Sequence, residues 1–298
     1  MMFERRVALA TCREFAQLDE DDRLVIPALA EREIRAEPAV WDDPAVDWEA
    51  YDLVVVRSTW DYIDDRDKFL AWAGSIPRLA NTAGILRWNT DKRYLRELAQ
   101  AGVPVVPTEW LEPGEDVALP GDGEYVIKPS ISAGSRDTGR FDLSDPAQRE
   151  LAVKHAQNLP DRGATAMVQP YLDAVDTSGE TAVLFLAGRF SHAIRKAPLL
   201  AGPDTAVDGL FRAEAITQRQ ASRAELDTAE AALAAIPAEL ASDVLYARID
   251  LIPDGDGRPV LLELELTEPS LFLAHDGRAA SRFAAAIGTR LDRVLKTR

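Results

Sequence analysis

The densest group of chemistry-bearing side chains lies toward the C-terminal end. There Tyr246-Ala247-Arg248-Ile249-Asp250 and Leu262-Glu263-Leu264-Glu265-Leu266 flank the turn-forming run Pro253-Asp254-Gly255-Asp256-Gly257. Paired as a hairpin, side-chain alternation puts Leu245, Ala247, Ile249 and Leu251 on one face with Leu262, Leu264 and Leu266. Tyr246, Arg248 and Asp250 then share the other face with Glu263 and Glu265. Side chains on paired strands stand ~5 Å apart, so carboxylates gathered this way repel unless a cation sits among them. Mg2+ suits Asp250, Glu263 and Glu265, because it takes hard oxygen ligands from one or two carboxylates and completes its shell with phosphates. A solvated hairpin face has the same pattern, and the hairpin alone does not choose between the two.

Three further stretches carry charge in useful places. Tyr125-Val126-Ile127-Lys128 is an apolar strand closed by a lysine and followed by the Ser/Gly loop Ser130–Gly139, which includes Ser135. A fixed ammonium beside a row of free backbone N–H groups suits phosphate oxygens, although a plain surface loop reads the same way. Met167-Val168-Gln169-Pro170-Tyr171-Leu172 is a strand that breaks at proline, leaving backbone donors and acceptors free to read an adenine edge, and the carboxylate of Gly179-Glu180 could take ribose hydroxyls. In Phe190–Lys196, His192 and Lys196 share a face opposite Arg195, and either cation could reach a phosphoryl group in transfer.

These residues need elements to position them. Val7–Thr11 and Asp52–Val56 read as buried strands around a helix over Asp19–Ile34, a small doubly wound α/β unit whose ligands belong beyond the strand ends, at Thr11–Glu14 and Arg57–Tyr62. Asn89-Thr90-Asp91-Lys92 opens an amphipathic helix that stops at Gly102. A helix over Asp145–Leu159, a hairpin of Glu180–Ala187 with Phe190–Lys196, a helix bearing Leu226, Ala229, Leu233 and Ile236, and a C-terminal helix over Asp276–Leu295 complete the pattern. The aperiodic segment Leu199–Gly209 reads as a long loop.

Composition removes several classes of function. The 298 residues carry 34 basic and 50 acidic side chains, a formal charge of −16 that opposes a nucleic-acid partner. The single cysteine, Cys12, excludes an internal disulfide, and the scattered His155, His192 and His275 give no zinc site. No apolar run is long enough to span a membrane, and the N-terminal residues lack a signal-peptide core, so a cytoplasmic protein with no membrane partner is expected. Neither Gly-x-Gly-x-x-Gly nor a P-loop occurs.

The order of Lys92, the Val-Ile-Lys-Pro strand with its small-residue loop, Val-Gln-Pro-Tyr, Gly-Glu, Lys196, Arg-x-Asp and Glu-x-Glu resembles the ATP-grasp superfamily along nearly the whole chain. The resemblance implies an ATP-grasp fold of mixed α/β and α+β class: a pre-grasp α/β domain at 1–87, a small lid subdomain at 88–167 and a larger subdomain at 168–298, gripping ATP. It further implies Lys92, Lys128 and Ser135 at the phosphates, Gln169, Tyr171 and Leu172 at adenine, and Asp176 at the ribose. Arg248 and Lys196 would act on the transferring phosphate, and Asp250, Glu263 and Glu265 would hold one or two Mg2+. Arg57 is a candidate partner for the substrate carboxylate and Trp60 a wall of its pocket, though both could simply pack where strand meets loop. Glu265 stands where the superfamily commonly has Asn, which leaves the division of metal ligands open.

Within the superfamily, Lys128–Phe141 and Glu263–Leu271 are similar to the group that closes O-ureido-D-serine to D-cycloserine. The implied chemistry is phosphorylation of a small amino-acid-like carboxylate by ATP, then attack by nitrogen on the acyl phosphate. An intermolecular carboxylate–amine ligase of dipeptide or glutathione-synthetase type and a non-catalytic ATP-binding protein are the alternatives. The oligomeric state stays open, a homodimer included. Leu199–Gly209 and Ser130–Gly139 are candidate lids, and Asp250→Asn or Glu263→Gln is expected to abolish turnover while leaving the fold intact.

Overall fold

The computed structural model describes residues 5–134, 136–161, 164–198 and 215–296. Ser135 and the segment Leu199–Gly209 lie outside the described residues. The first sheet is parallel, with β1 (Arg5–Thr11), β2 (Ile34–Val40), β3 (Leu53–Val56) and β4 (Leu79–Ala80) in the order β2-β1-β3-β4. Its alternation is strict: Val7 and Leu9 face the C-terminal helix Ala279–Lys296 through Phe283, Ile287 and Leu291, while Ala8 and Ala10 face Trp41, Phe69 and Leu70. Burial on both faces explains the near-continuous apolar run of β3.

The long helix expected over Asp19–Ile34 is instead a short helix, Val25–Ala30, followed by β2. Glu33, at φ 57°, reverses the chain into Ile34, which pairs with Arg5. Pro38 and the charged residues of β2 disguise it as non-strand, and they are tolerated because β2 is an edge.

The other two sheets form the body of the cleft. One contains β5 (Glu109–Leu111), β6 (Glu124–Pro129), β7 (Gly139–Asp142) and β8 (Ala166–Pro170), ordered β5-β8-β6-β7 and covered by the helix Pro146–Asp161. The other contains β9 (Glu180–Leu186), β10 (Arg189–Lys196), β11 (Ile216–Arg219), β12 (Tyr246–Pro253) and β13 (Pro259–Glu265), ordered β11-β10-β9-β12-β13, with the helix Arg223–Ala234 against it. Both are antiparallel. The β9–β10 turn is Ala187-Gly188, both at positive φ as a tight hairpin requires, one residue earlier than expected.

Asn89–Lys92 does not open one helix. It is the junction between helices Ala83–Asn89 and Tyr94–Gln100, so Lys92 sits in the turn between them. From this junction Asn89 donates to Leu264 O at 2.7 Å and accepts from Leu266 N at 2.7 Å, clipping the end of β13 to the segment that leads into the β5–β8 sheet. Among the described residues, no helix is long and apolar enough to cross a membrane.

Candidate active site

The two antiparallel sheets and the loop after β3 enclose a cleft of about 340 Å³. The register that fills it is the expected one at the acidic end, with Arg248 opposite Glu265 and Asp250 opposite Glu263. Beyond Asp250 a bulge shifts the pairing, so Leu251 meets Leu261 and the extra residue, Leu262, turns into the cleft. Leu262 therefore leaves the core face assigned to it from alternation. With Val106, Ile252, Tyr171 and Leu172 it forms an apolar end, the chemistry a purine ring needs.

Charged groups from separate elements converge at the other end. Lys92 donates to Ser132 O at 2.8 Å and pairs with Glu263 at 3.1 Å, tying the loop after β6 to β13. Lys196 lies 2.8 Å from Asp250 and 3.0 Å from Glu180. Arg248 grips Asp250 from Nε and Nη2, both at 3.0 Å, and also bonds Glu265. Lys128 differs from all of these. It is 8% exposed and lines the cleft, and among the described residues it has no hydrogen-bond or ion-pair partner. Burial pushes its ammonium pKa down, an effect that Glu263 and Glu180 resist and Lys92 and Lys196 reinforce. A desolvated ammonium of this kind is stabilised by an incoming anion.

The carboxylates are not equivalent. Burial raises all three, but Arg248 and Lys196 hold Asp250 below its ordinary range, and Lys92 with Lys128 do the same for Glu263. Glu265, pushed by burial and by the neighbouring Glu263 and Asp250 against the pull of Arg248, rises to about 7. Among the described residues no group of three or more acidic, histidine or cysteine side chains closes around an ion by itself. Lysine and arginine occupy the space between the acids, which is why three carboxylates tolerate one face.

Four further expectations change in detail. Arg57 is 1% exposed, pairs with Asp22 at 2.8 Å, donates to Pro269 O at 2.7 Å and does not line the cleft, so it cannot meet a substrate carboxylate. Asp176 accepts from the Tyr171 hydroxyl at 2.6 Å outside the cleft, while Glu180 lines it. Gln169, 2% exposed, donates to the Thr108 hydroxyl at 2.9 Å at the cleft wall. His192 lies 3.0 Å from Leu271 O and lines no part of the cleft, so of the β10 cations only Lys196 faces it.

Sequence reasoning assigned no role to Glu268, Asn89 and Phe272, which line the cleft; Tyr62, at the end of the Arg57–Tyr62 segment expected to meet ligands, lines it as well. Glu268 lies within the Glu263–Leu271 stretch that carries the resemblance, but by itself an acid set between Thr267 and Pro269 just after a strand resembles ordinary loop composition. Burial, with Glu265 adding and Lys92 opposing, pushes its carboxyl to about 8.

Comparison with known proteins places this geometry. A family model described as the N-terminal domain of D-cycloserine synthetase DcsG matches residues 7–81. The chain is 37% identical to the cycloserine biosynthesis protein DcsG of Streptomyces lavendulae, over 96% of this chain and 98% of that protein. The crystal structure of D-cycloserine synthetase DcsG superposes with a TM-score of 0.84 at 36% identity, covering 96% of this chain and 99% of the other. A D-alanine–D-alanine ligase from Bacillus anthracis complexed with ATP superposes with a TM-score of 0.65 at 14% identity, covering 98% and 99%, a likeness of fold alone.

Proposed function

Because this chain belongs to the D-cycloserine synthetase family of ATP-grasp ligases, we propose that it closes O-ureido-D-serine to D-cycloserine at the expense of ATP. The observation that carries this reading is Lys128, a buried cation facing the cleft with no partner among the described residues, flanked by Lys92, Lys196 and Arg248. Such a site is built for a polyanion. The apolar end around Leu262 and Ile252 takes the adenine, with Gln169, Tyr171 and Leu172 at its edge and Glu180 at the ribose. Lys92 and Lys128 hold the phosphates while the subdomain at 88–167 closes on that at 168–298.

In the reaction, an oxygen of the substrate carboxylate attacks the terminal phosphorus and ADP leaves. Charge then spreads over the transferring group, and Arg248 and Lys196, which line the cleft in ion pairs with its acids, neutralise it as they turn to the phosphate. The ureido nitrogen bonded to oxygen, giving up its proton, next attacks the acyl carbon, phosphate departs and the ring closes; water then cleaves the bond from this nitrogen to the carbamoyl carbon, and the carbamoyl group leaves as carbon dioxide and ammonia. Closure of the cleft around the acyl phosphate would shield it from water.

The donor set fits Mg2+: all its atoms are hard oxygens, and Glu265 at about 7 marks a local excess of negative charge that a divalent cation would relieve. Asp250, Glu263 and Glu265 are the residues that would hold one or two ions. When bound, Mg2+ offsets the charge of the phosphates and orients them for transfer.

The test is ADP release on mixing the protein, ATP, Mg2+ and O-ureido-D-serine, with mass spectrometry of the product. D-cycloserine formed in step with ADP is expected. ADP at background level would overturn the reading, and ADP formed only when a second amine is supplied would shift it to an intermolecular ligase.

A further inference from the structure

Beyond Glu265 the chain enters a loop whose backbone is held at five successive carbonyls. Tyr246 Oη donates to Thr267 O at 2.9 Å, Trp60 Nε1 to Glu268 O at 3.1 Å and Arg57 to Pro269 O at 2.7 Å. Arg248 donates to Ser270 O at 3.3 Å, and His192 Nε2 lies 3.0 Å from Leu271 O, which can only accept. The donors come from β12, from the end of β3 and its loop, and from β10, so three separated parts of the chain fix one short segment. Sites that recognise small ligands are made rigid in this way.

The side chain that this frame presents is Glu268. It is 9% exposed and lines the cleft, and among the described residues its carboxylate has no hydrogen-bond or ion-pair partner. The cations that act on Glu268 are committed elsewhere, Lys92 to Glu263 and Arg248 to Asp250 and Glu265, and Lys128, which lines the same cleft, forms no ion pair with it. A buried carboxylate without a partner is costly, so the Glu268 carboxyl keeps its proton until a cation is supplied, and a cationic ligand in the cleft is the partner that ionises it. Trp60 and Tyr62 line the same cleft, and aromatic faces attract organic cations. Mg2+ keeps a shell of oxygen ligands and gains nothing from an indole wall, whereas a primary ammonium uses both kinds of neighbour.

We propose that Glu268, walled by Trp60 and Tyr62, is the subsite for the α-ammonium of the amino-acid substrate and selects α-amino acids over plain carboxylic acids. This rests on the reading that the cleft phosphorylates a carboxylate, and the position agrees with it. An α-ammonium lies one carbon from the carboxylate, so its site must border the phosphoryl site, and Glu268 follows Glu265 by three residues.

The experiment is calorimetric binding of O-ureido-D-serine and of its des-amino analogue to the full chain with Mg2+ and a non-hydrolysable ATP analogue, which does not depend on turnover. The parent protein binds the amino compound at least ~10-fold more tightly than the analogue. Glu268→Gln weakens the amino compound by roughly 10- to 100-fold and leaves the des-amino compound within about twofold, while nucleotide affinity is unchanged. Glu268→Met, of similar volume and without charge, serves if the Gln protein fails to bind nucleotide. Equal binding of the two compounds by the parent, binding of neither, or an equal loss for both in the variants overturns the proposal. So does a loss confined to Mg2+-dependent nucleotide binding, which would make Glu268 a metal ligand. Selective binding without ADP release would support the subsite and sink the proposed reaction, so the two failures are distinct.

Discussion

Asp250→Asn separates a structural role from a catalytic one. Asp250 is 2% exposed; Oδ1 accepts from Arg248 Nε at 3.0 Å, and Oδ2 accepts from Arg248 Nη2 at 3.0 Å and from Lys196 at 2.8 Å. The substitution keeps the shape and strips both buried cations of their shared counter-ion, a change that costs ~3–5 kcal/mol when no other partner exists. Arg248 keeps Glu265 and Lys196 keeps Glu180 at 3.0 Å, which moves the cost to the lower end, ~3 kcal/mol. For a chain of 298 residues that lowers the melting temperature by ~5 °C. Glu263→Gln is the contrast: its side chain is 23% exposed, and Lys92 retains Ser132 O at 2.8 Å, so ~1 kcal/mol is lost. Both variants should lose at least ~100-fold in ADP release, but only Asp250→Asn should melt early in calorimetry without ligands. This corrects the expectation that both substitutions leave the fold equally intact. If Asp250→Asn melts within about 1 °C of the parent, or Glu263→Gln melts lower than it, the counter-ion argument is wrong.

Asn89→Ala removes the clip on β13, leaving Leu264 O and Leu266 N without their 2.7 Å partners; a loss of ~2–4 kcal/mol in urea unfolding is expected. Gly179 has φ +68°, and a Cβ there would stand 2.4 Å from Lys196 O, so Gly179→Ala should cost ~2 kcal/mol or more and slow ADP release, while Gly121→Ala, in open space, should do neither. Burial lowers the His192 pKa despite the Leu271 carbonyl. The folded state therefore disfavours imidazolium, and the stability from this group is full above the unfolded value near ~6.5 and lost as pH falls through the folded value. His192→Gln should flatten that acid slope, by up to ~1.4 kcal/mol per pH unit, in unfolding curves taken between about pH 7 and pH 5.

What local pattern can encode was legible in the chain itself. Alternation along Tyr246–Asp250 and Glu263–Glu265 put the acids and Arg248 on one face, and the strand ending at Lys128 set a cation beside a small-residue loop, because side-chain direction repeats every two residues whatever surrounds the strand. The same periodicity misplaced Leu262, since a single inserted residue in the β12–β13 ladder exchanges the two faces, and nothing in the composition of the strand announces a bulge.

Which charge meets which partner was decided only by the assembled structure. Arg57 looked like a ligand for substrate because it ends a buried strand, but Asp22 from an earlier turn and Pro269 from 212 residues further along occupy its guanidinium. Asp250 is neutralised by β10 as well as by its own strand, whereas Glu268 has no ion-pair partner among the described residues. A charge in a low-dielectric cleft is governed by the groups within a few ångströms of it, and those groups come from distant parts of the chain that no window of sequence contains.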